Sequence, residues 1–338
     1  MVINLLEMDI QLIYKYIIIF LYAFFATYWA TPIMLKKLTK HGFVRPDKYK
    51  KGNKTFVTMA GISMLVGILI SLSLSQLLLL QQINLGMLFI FYFIVIVYAL
   101  YGLSDDLFGS GDGVSVLSKR YDKILVVLLL SFPIASLITD TSITFWSFNL
   151  ELGLVYSLLL APIYIMVVAN LINVHAGYNG LSTGTSWIIL LAIGIETIQR
   201  GNFERIIFLL PIFGALTGFI KYNIYPAKAH DGNVGAFLIG GSIGAALLAL
   251  NLEIFGIFIL IPHIINFLMD TWTIIIRKKK DVRFGKIRAD GTIQAPPTMK
   301  YKSLKFLIVS LFRLTEKQAT MWLWLLTAVF CAAGIIIF

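Results

Sequence analysis

Ten long apolar runs divide this chain, near residues 12–35, 56–79, 84–103, 124–138, 152–172, 184–198, 206–220, 234–251, 254–276 and 319–338. A helix crossing the hydrocarbon core needs about 20 predominantly apolar residues. Most of the runs approach that length; 124–138, 184–198 and 206–220 fall short and must borrow polar residues at their ends. The pattern predicts an all-α polytopic membrane protein of about ten transmembrane helices, with residues 1–338 as a single domain. The chain is 59% hydrophobic and 13% charged, against roughly 25% charged in an ordinary soluble domain. The first run is long enough to span, and no small-residue cleavage site follows it. It therefore reads as an anchor rather than a signal peptide. The only cysteine, Cys331, lies in the last run, so no intramolecular disulfide can form.

The cations are distributed unevenly along this pattern. With ten spans, the loops after runs 1, 3, 5, 7 and 9 share one side, and they hold 25 of the 28 Lys and Arg; the exceptions are Lys15, Arg200 and Arg205. The positive-inside bias places those five loops in the cytoplasm and both termini outside. The net charge of +11 is thus a matter of topology and of attraction to anionic headgroups and substrates, with no nucleic-acid partner implied.

The same loops carry the polar clusters. Asp105 and Asp106 close the third run in YGLSDDLFG. Adjacent carboxylates at a membrane boundary repel unless they are solvated or neutralised by a cation, which suggests a magnesium site or a base beside a phosphate. After the fifth run, Asn170 and Asn173 share a helical face, and the chain turns through Gly177, Asn179 and Gly180. A glycine-rich turn before a helix can hold a phosphate or a flat base close to exposed amides. After the seventh run come Lys228, His230, Asp231 and Asn233; the carboxylate or the amide could join a metal shell, and the imidazole could stack on a base. In the ninth run His263, Asn266 and Asp270 form a stripe on one face. Asp270 lies about 9 Å from the cytoplasmic end, at 1.5 Å per residue, a depth suited to a phosphate at the lipid boundary. In the last loop Arg283, Lys286 and Arg288 alternate with other residues as in a short hairpin and could clamp a pyrophosphate. A transporter is the alternative of a different class, with the stripe of the ninth run as its path. It should show interrupted helices and internal repeats, and no convincing repeat is present.

The order of these motifs resembles the polyprenyl-phosphate N-acetylhexosamine-1-phosphate transferase family along nearly the whole chain. YGLSDDLFG is similar to its paired-aspartate motif and NLINVHAGYNGLSTGTS to its Asn-rich nucleotide loop. YPAKAHDGNVG is similar to its Pro, basic and Gly-Asp segment, and PHIINFL to its Asn-Phe segment. Ala176-Gly177 and Asn179-Gly180 stand where the bacterial cell-wall branch tends to have Asp-Gly pairs, so the resemblance points to the dolichol-linked branch of eukaryotes and archaea. It implies transfer of GlcNAc-1-phosphate from UDP-GlcNAc to dolichyl or another polyprenyl phosphate, with release of UMP. Mg²⁺, for which Mn²⁺ can substitute, would bridge the pyrophosphate. By motif match, Asn173 and Asn233 take the metal positions and Gly177 and Asn179 line the uracil. His230 replaces an aromatic stacker, Lys123 and Arg283 meet phosphate, and Asp105 and Asp106 position or deprotonate the acceptor. Asp231 and Asn266 complete the substrate-binding set. Asn233 stands where the family often has Asp, which removes a charge from the metal shell for which Asp231 can compensate. A second substrate reading keeps the reaction and changes the UDP-acetamido sugar.

Overall fold

A computed structural model describes residues 10–52, 54–79, 85–108, 120–136, 141–145, 148–278 and 284–338. Each of the ten apolar runs contains helix. The main ones are α1 (Ile10–Lys40), α2 (Ile62–Leu78), α3 (Leu85–Phe108), α4 (Arg120–Ser131), α5 (Ala161–Val174), α6 (Leu181–Gln199), α7 (Leu210–Asn223) and α8 (Gly232–Ala249). They are followed by α9 (Glu253–Ile259) and α10 (Ile261–Thr271), then by a short α11 (Leu304–Leu311) and by α12 (Glu316–Ile337). A π turn, Tyr156–Leu160, leads into α5.

Among the described residues, α1, α3, α6, α8, α12 and α5 with its π turn are each long and apolar enough to cross a membrane. α9 with α10, bent by 66° at Leu260, makes a seventh if counted as one span. The protein is thus a polytopic membrane protein with six or seven candidate spans, fewer than the ten expected. The shortfall lies in α2, α4 and α7, of 17, 12 and 14 residues. α2 and α7 pack against α1, and α4 packs against α5, so longer helices screen part of their surface. The all-α expectation also needs an addition. Three two-stranded antiparallel hairpins join the helices: β1 (Val44–Pro46) with β2 (Thr55–Val57), β3 (Ser142–Phe145) with β4 (Phe148–Glu151), and β5 (Lys286–Ile287) with β6 (Ile293–Gln294).

The core is built around α8, in which every residue from Val234 to Leu248 is buried. Glycines make this possible. A Cβ on Gly240 would lie 2.7 Å from the Ala169 Cα, and one on Gly244 would lie 3.0 Å from the Ile165 Cα, so α5 sits directly on the α8 backbone. One on Gly241 would lie 2.6 Å from the Tyr98 ring of α3. These contacts are small-residue packing of the kind that drives helix association in lipid. The two α5 contacts step in opposite directions along the two helices, so α5 and α8 are antiparallel and the end of α5 lies beside the start of α8. α1 and α7, in contact at Phe20–Gly214 and Phe24–Gly218, run parallel.

Gly240→Leu is expected to destabilise the protein by about 1–3 kcal/mol or more through overpacking. Gly194→Ala, where a Cβ meets nothing within 4 Å, should stabilise α6 by about 0.5–1 kcal/mol. Thermal unfolding in detergent would measure both, and equal effects would contradict the packing described for α8.

Candidate active site

The packing of α3 on α8 places the two aspartates. A side chain on Gly102 would collide with the backbone of Asn233 and Val234, so only glycine lets the end of α3 reach the first turn of α8. There the Val234 amide donates to Asp106 Oδ2 at 2.9 Å, and Asn233 Nδ2 donates to Asp105 Oδ2 at 2.9 Å. First-turn amides lack intrahelical partners and carry the positive end of the helix dipole. Two carboxylates are therefore seated where a helix favours negative charge. Gly232, at φ +70°, completes the seat: a Cβ there would lie 2.6 Å from Asp106 Oδ2.

Asp231 precedes this turn and is buried, and its Oδ2 has no hydrogen-bond partner among the described residues. Burial pushes its carboxyl up to about 6, with the charge of Asp106 adding to the effect. His230 is tied in on both sides. Its amide donates to Val57 O at 2.8 Å, and its carbonyl accepts from the Ala60 amide at 3.0 Å, so this segment runs beside β2. The imidazole packs on Phe56 with ring centroids 4.3 Å apart, and burial lowers its pKa to about 4. Burial thus favours the neutral ring.

The glycine-rich turn after α5 is held by four other segments. Gly177 has φ +113°, and the Lys305 side chain lies where its Cβ would be, donating to Ala176 O at 3.1 Å. Asn179 is the hub. Its Oδ1 accepts from Lys50 Nζ at 2.6 Å and from the Ala227 amide at 2.8 Å, and its own amide donates to Glu316 Oε1 at 2.8 Å. Lys50 also pairs with Asp47, both side chains being almost fully buried. Two further bonds come from α12: Thr320 Oγ1 donates to Asn179 O at 3.4 Å and Trp324 Nε1 to Gly180 O at 3.0 Å. Glu316, Thr320 and Trp324 are four residues apart, one face of a helix.

Below the turn, His175 and His263 pack with ring centroids 4.2 Å apart and planes tilted by 44°. Neither ring nitrogen of His175 has a hydrogen-bond partner among the described residues, and burial, with the Lys305 charge, lowers its pKa to about 3. Asn266 accepts from the Leu304 amide at 2.9 Å and donates to Val174 O at 3.4 Å, so it ties α11 to the end of α5. Asp270 faces Lys302 at 3.6 Å.

The structure thus brings Asp105, Asp106, His230, Asp231 and Asn233 into one cluster. The Asn179–Ala227 bond joins that cluster to the turn that carries Gly177 and Asn179. Asn173 lies half-buried in the last turn of α5. Lys123 lies in the first turn of α4, its side chain outside the described residues, as is the whole of Arg283. Lys286 does lie in the short hairpin expected there, with Arg288 at its turn. Sequence reasoning passed over Asp47, Lys50, Lys305 and Glu316. The stripe of Glu316, Thr320 and Trp324 was the one local signal available.

Residues 88–251 match the family model described as Glycosyl transferase family 4. A Saccharolobus solfataricus protein, provisionally named a UDP-N-acetylglucosamine–dolichyl-phosphate N-acetylglucosaminephosphotransferase, is 28% identical over 94% of this chain and 95% of its own. The chain belongs to glycosyl transferase family 4. A Sulfolobus acidocaldarius protein of the same provisional name is 25% identical over 70% of this chain and 69% of its own. The phospho-N-acetylmuramoyl-pentapeptide-transferase of Clostridium botulinum is 27% identical over 67% of this chain and 70% of its own. This family 4 member is a transferase, and the matched region runs from α3 through α8. It contains the aspartate pair, the glycine-rich turn and the Asp231–Asn233 segment, whereas Lys50, Lys305 and Glu316 lie outside it.

The donor set is of the kind a magnesium ion takes. Among the described residues no three of His, Cys, Asp and Glu gather as a closed metal site. Mg²⁺ typically uses one or two carboxylates and keeps water and substrate phosphate for the rest. The unpartnered buried oxygen of Asp231, with the side-chain carbonyl of Asn233 two residues on, fits such an open set.

Glu316→Ala would leave the buried Asn179 amide unpartnered, at a cost of about 1–3 kcal/mol, whereas Glu316→Gln keeps an acceptor and should stay close to wild type in thermal unfolding. A second expectation concerns pH. Between the ordinary histidine value and about 3, the unfolded chain binds a proton at His175 that the folded chain refuses, so the contribution of this group to stability falls as pH drops below about 6.5. His175→Gln should flatten the fall in Tm between pH 6.5 and pH 4.5. An unchanged slope would show that His175 is not the group responsible.

Proposed function

We propose that this family 4 transferase moves GlcNAc-1-phosphate from UDP-GlcNAc to dolichyl or another polyprenyl phosphate. The products are UMP and a polyprenyl-diphosphate-GlcNAc, the first lipid-linked intermediate of a glycan. The observation that carries this reading is the meeting of the aspartate pair, the first turn of α8 and the glycine-rich turn at one end of a membrane-spanning bundle. Two anionic substrates, one from water and one from the bilayer, can meet there. The likeness to the Saccharolobus protein over nearly the full length of both chains supports the sugar and the lipid. So do Ala176 and Asn179, where the cell-wall branch tends to carry Asp. The loops gathered at this end hold most of the cations, which supports a cytoplasmic active face with both termini on the other side.

In this reading Asp106, fixed by the Val234 amide, and Asp105, fixed by Asn233, orient the acceptor phosphate and take its proton where it carries one. Gly177, whose missing side chain admits Lys305, would line the nucleotide pocket through its backbone. His230, neutral and backed by Phe56, offers its other face to the uracil. Asn179, with its polar atoms engaged inside the protein, holds the shape of the uracil pocket. Asn173, Asn233 and Asp231 would hold Mg²⁺, which when bound neutralises the pyrophosphate charge. Lys123 and Arg283 would meet phosphate.

The test is UMP release by the purified protein with UDP-GlcNAc, dolichyl phosphate and Mg²⁺, with UDP-GalNAc, UDP-MurNAc-pentapeptide and a lipid-free sample alongside. Lipid-dependent release with UDP-GlcNAc is expected, and preference for another nucleotide sugar would replace the substrate assigned here. Asp106→Asn keeps an acceptor for the Val234 amide, so the protein should fold while turnover falls by about a hundredfold or more. An unimpaired variant would remove Asp106 from the mechanism.

A further inference from the structure

α10 continues through one π turn, Trp272–Ile276, and ends at Arg277. The outer face of this segment is apolar and open: Leu268, Trp272 and Ile276 are each more than half exposed. In a chain that spans the bilayer, such a face lies against acyl chains. Directly beside it, Thr273 and Arg277 line a cleft of about 550 Å³ with Thr298, in the short turn Pro297–Met299, and with Lys300, Tyr301 and Lys302, which follow that turn. Three cations, two hydroxyls and a phenol thus face one space, and none of the lining residues is acidic. Lys302 has Asp270 at 3.6 Å. Among the described residues neither Arg277 nor Lys300 has an ion-pair partner.

A cleft with this lining favours a phosphate, whose oxygens accept from ammonium, guanidinium and hydroxyl donors together. Its position selects a phosphate carried by a lipid. The cations stand where a span ends, next to exposed Trp272 and Tyr301, the amphipathic aromatics that occupy the membrane interface. The cleft shares no lining residue with the site around Asp105 and Asp106. It adjoins that site through Leu304, bonded to Asn266, and through Lys305, bonded to Ala176. We propose that this cleft binds a lipid-borne phosphate at the bilayer surface, beside the catalytic end of the bundle.

The full-length protein in neutral detergent would be titrated with phosphatidylglycerol, a polyprenyl monophosphate, phosphatidylcholine and inorganic phosphate, with the rise in Tm as the readout. Wild type would be compared with Arg277→Gln/Lys300→Gln and with Lys36→Gln/Lys37→Gln. The last pair removes the same charge from exposed positions on α1. Wild type and the α1 variant should saturate with an anionic lipid at the same concentration, and the cleft variant at a concentration about tenfold higher or more. Phosphatidylcholine and inorganic phosphate should give no saturable shift. A stronger response to the polyprenyl monophosphate would identify the ligand as the acceptor, and one to phosphatidylglycerol as a bilayer lipid; either supports the site. Equal behaviour of the two double variants, absence of a lipid effect in wild type, or an equal response to inorganic phosphate would overturn it.

Discussion

The rest of the structure depends on how closely α8 is approached by its neighbours. Without a hydrophobic drive between helices in lipid, association rests on backbone proximity and packing. α8 supplies that with glycines facing α2, α3 and α5. The same contacts that bury the helix also deliver its first turn to the end of α3. Because Gly102 and Gly232 carry no side chains, the amide of Val234 and the side chain of Asn233 can hold Asp106 and Asp105. Packing and chemistry are therefore one arrangement, and the cost of holding two adjacent carboxylates together is offset by a helix N-terminus built against them.

A second level of order fixes the glycine-rich turn. A stretch rich in glycine is conformationally permissive, and its shape has to be imposed from outside. Asn179 does this by accepting from Lys50 and Ala227 while its amide is held by Glu316. Three segments far apart in sequence converge on one buried residue, so the turn is coupled to the β1–β2 hairpin and to the last helix. The buried Lys50–Asp47 pair fits the same role: charges withdrawn from water persist where each has several fixed partners.

The last loop, by far the richest in cations, divides its charges among tasks. Lys305 covers the turn at Gly177, Lys302 faces Asp270, and Arg313 pairs with Asp290 at the turn of the β5–β6 hairpin. Thr292 also donates to Asp290, whose carboxyl these bonds hold down at about 2. Topological bias and binding chemistry can thus draw on the same residues, since a basic surface at one end of the spans bears on both the orientation of a chain and anionic ligands.

By itself, the sequence determined that the chain lives in a membrane, roughly where its helices lie, and that its polar clusters share one side. These follow from local hydropathy and from charge counted along the chain, and both survive without any knowledge of contacts. Asp105, Asp106, Asp231 and Asn233 were legible because ionisable and amide groups at a bilayer boundary are costly enough to mark a site. Only the tertiary structure decided that α2 is too short to span and that α6, from a run that looked short, is long enough, that α9 and α10 bend, and that Asn179 is a buried hub. It also decided that Lys50, Lys305 and Glu316 hold the glycine-rich turn. Their roles arise from partners more than a hundred positions away, and no local pattern encodes a hydrogen bond that exists only once separate helices have packed.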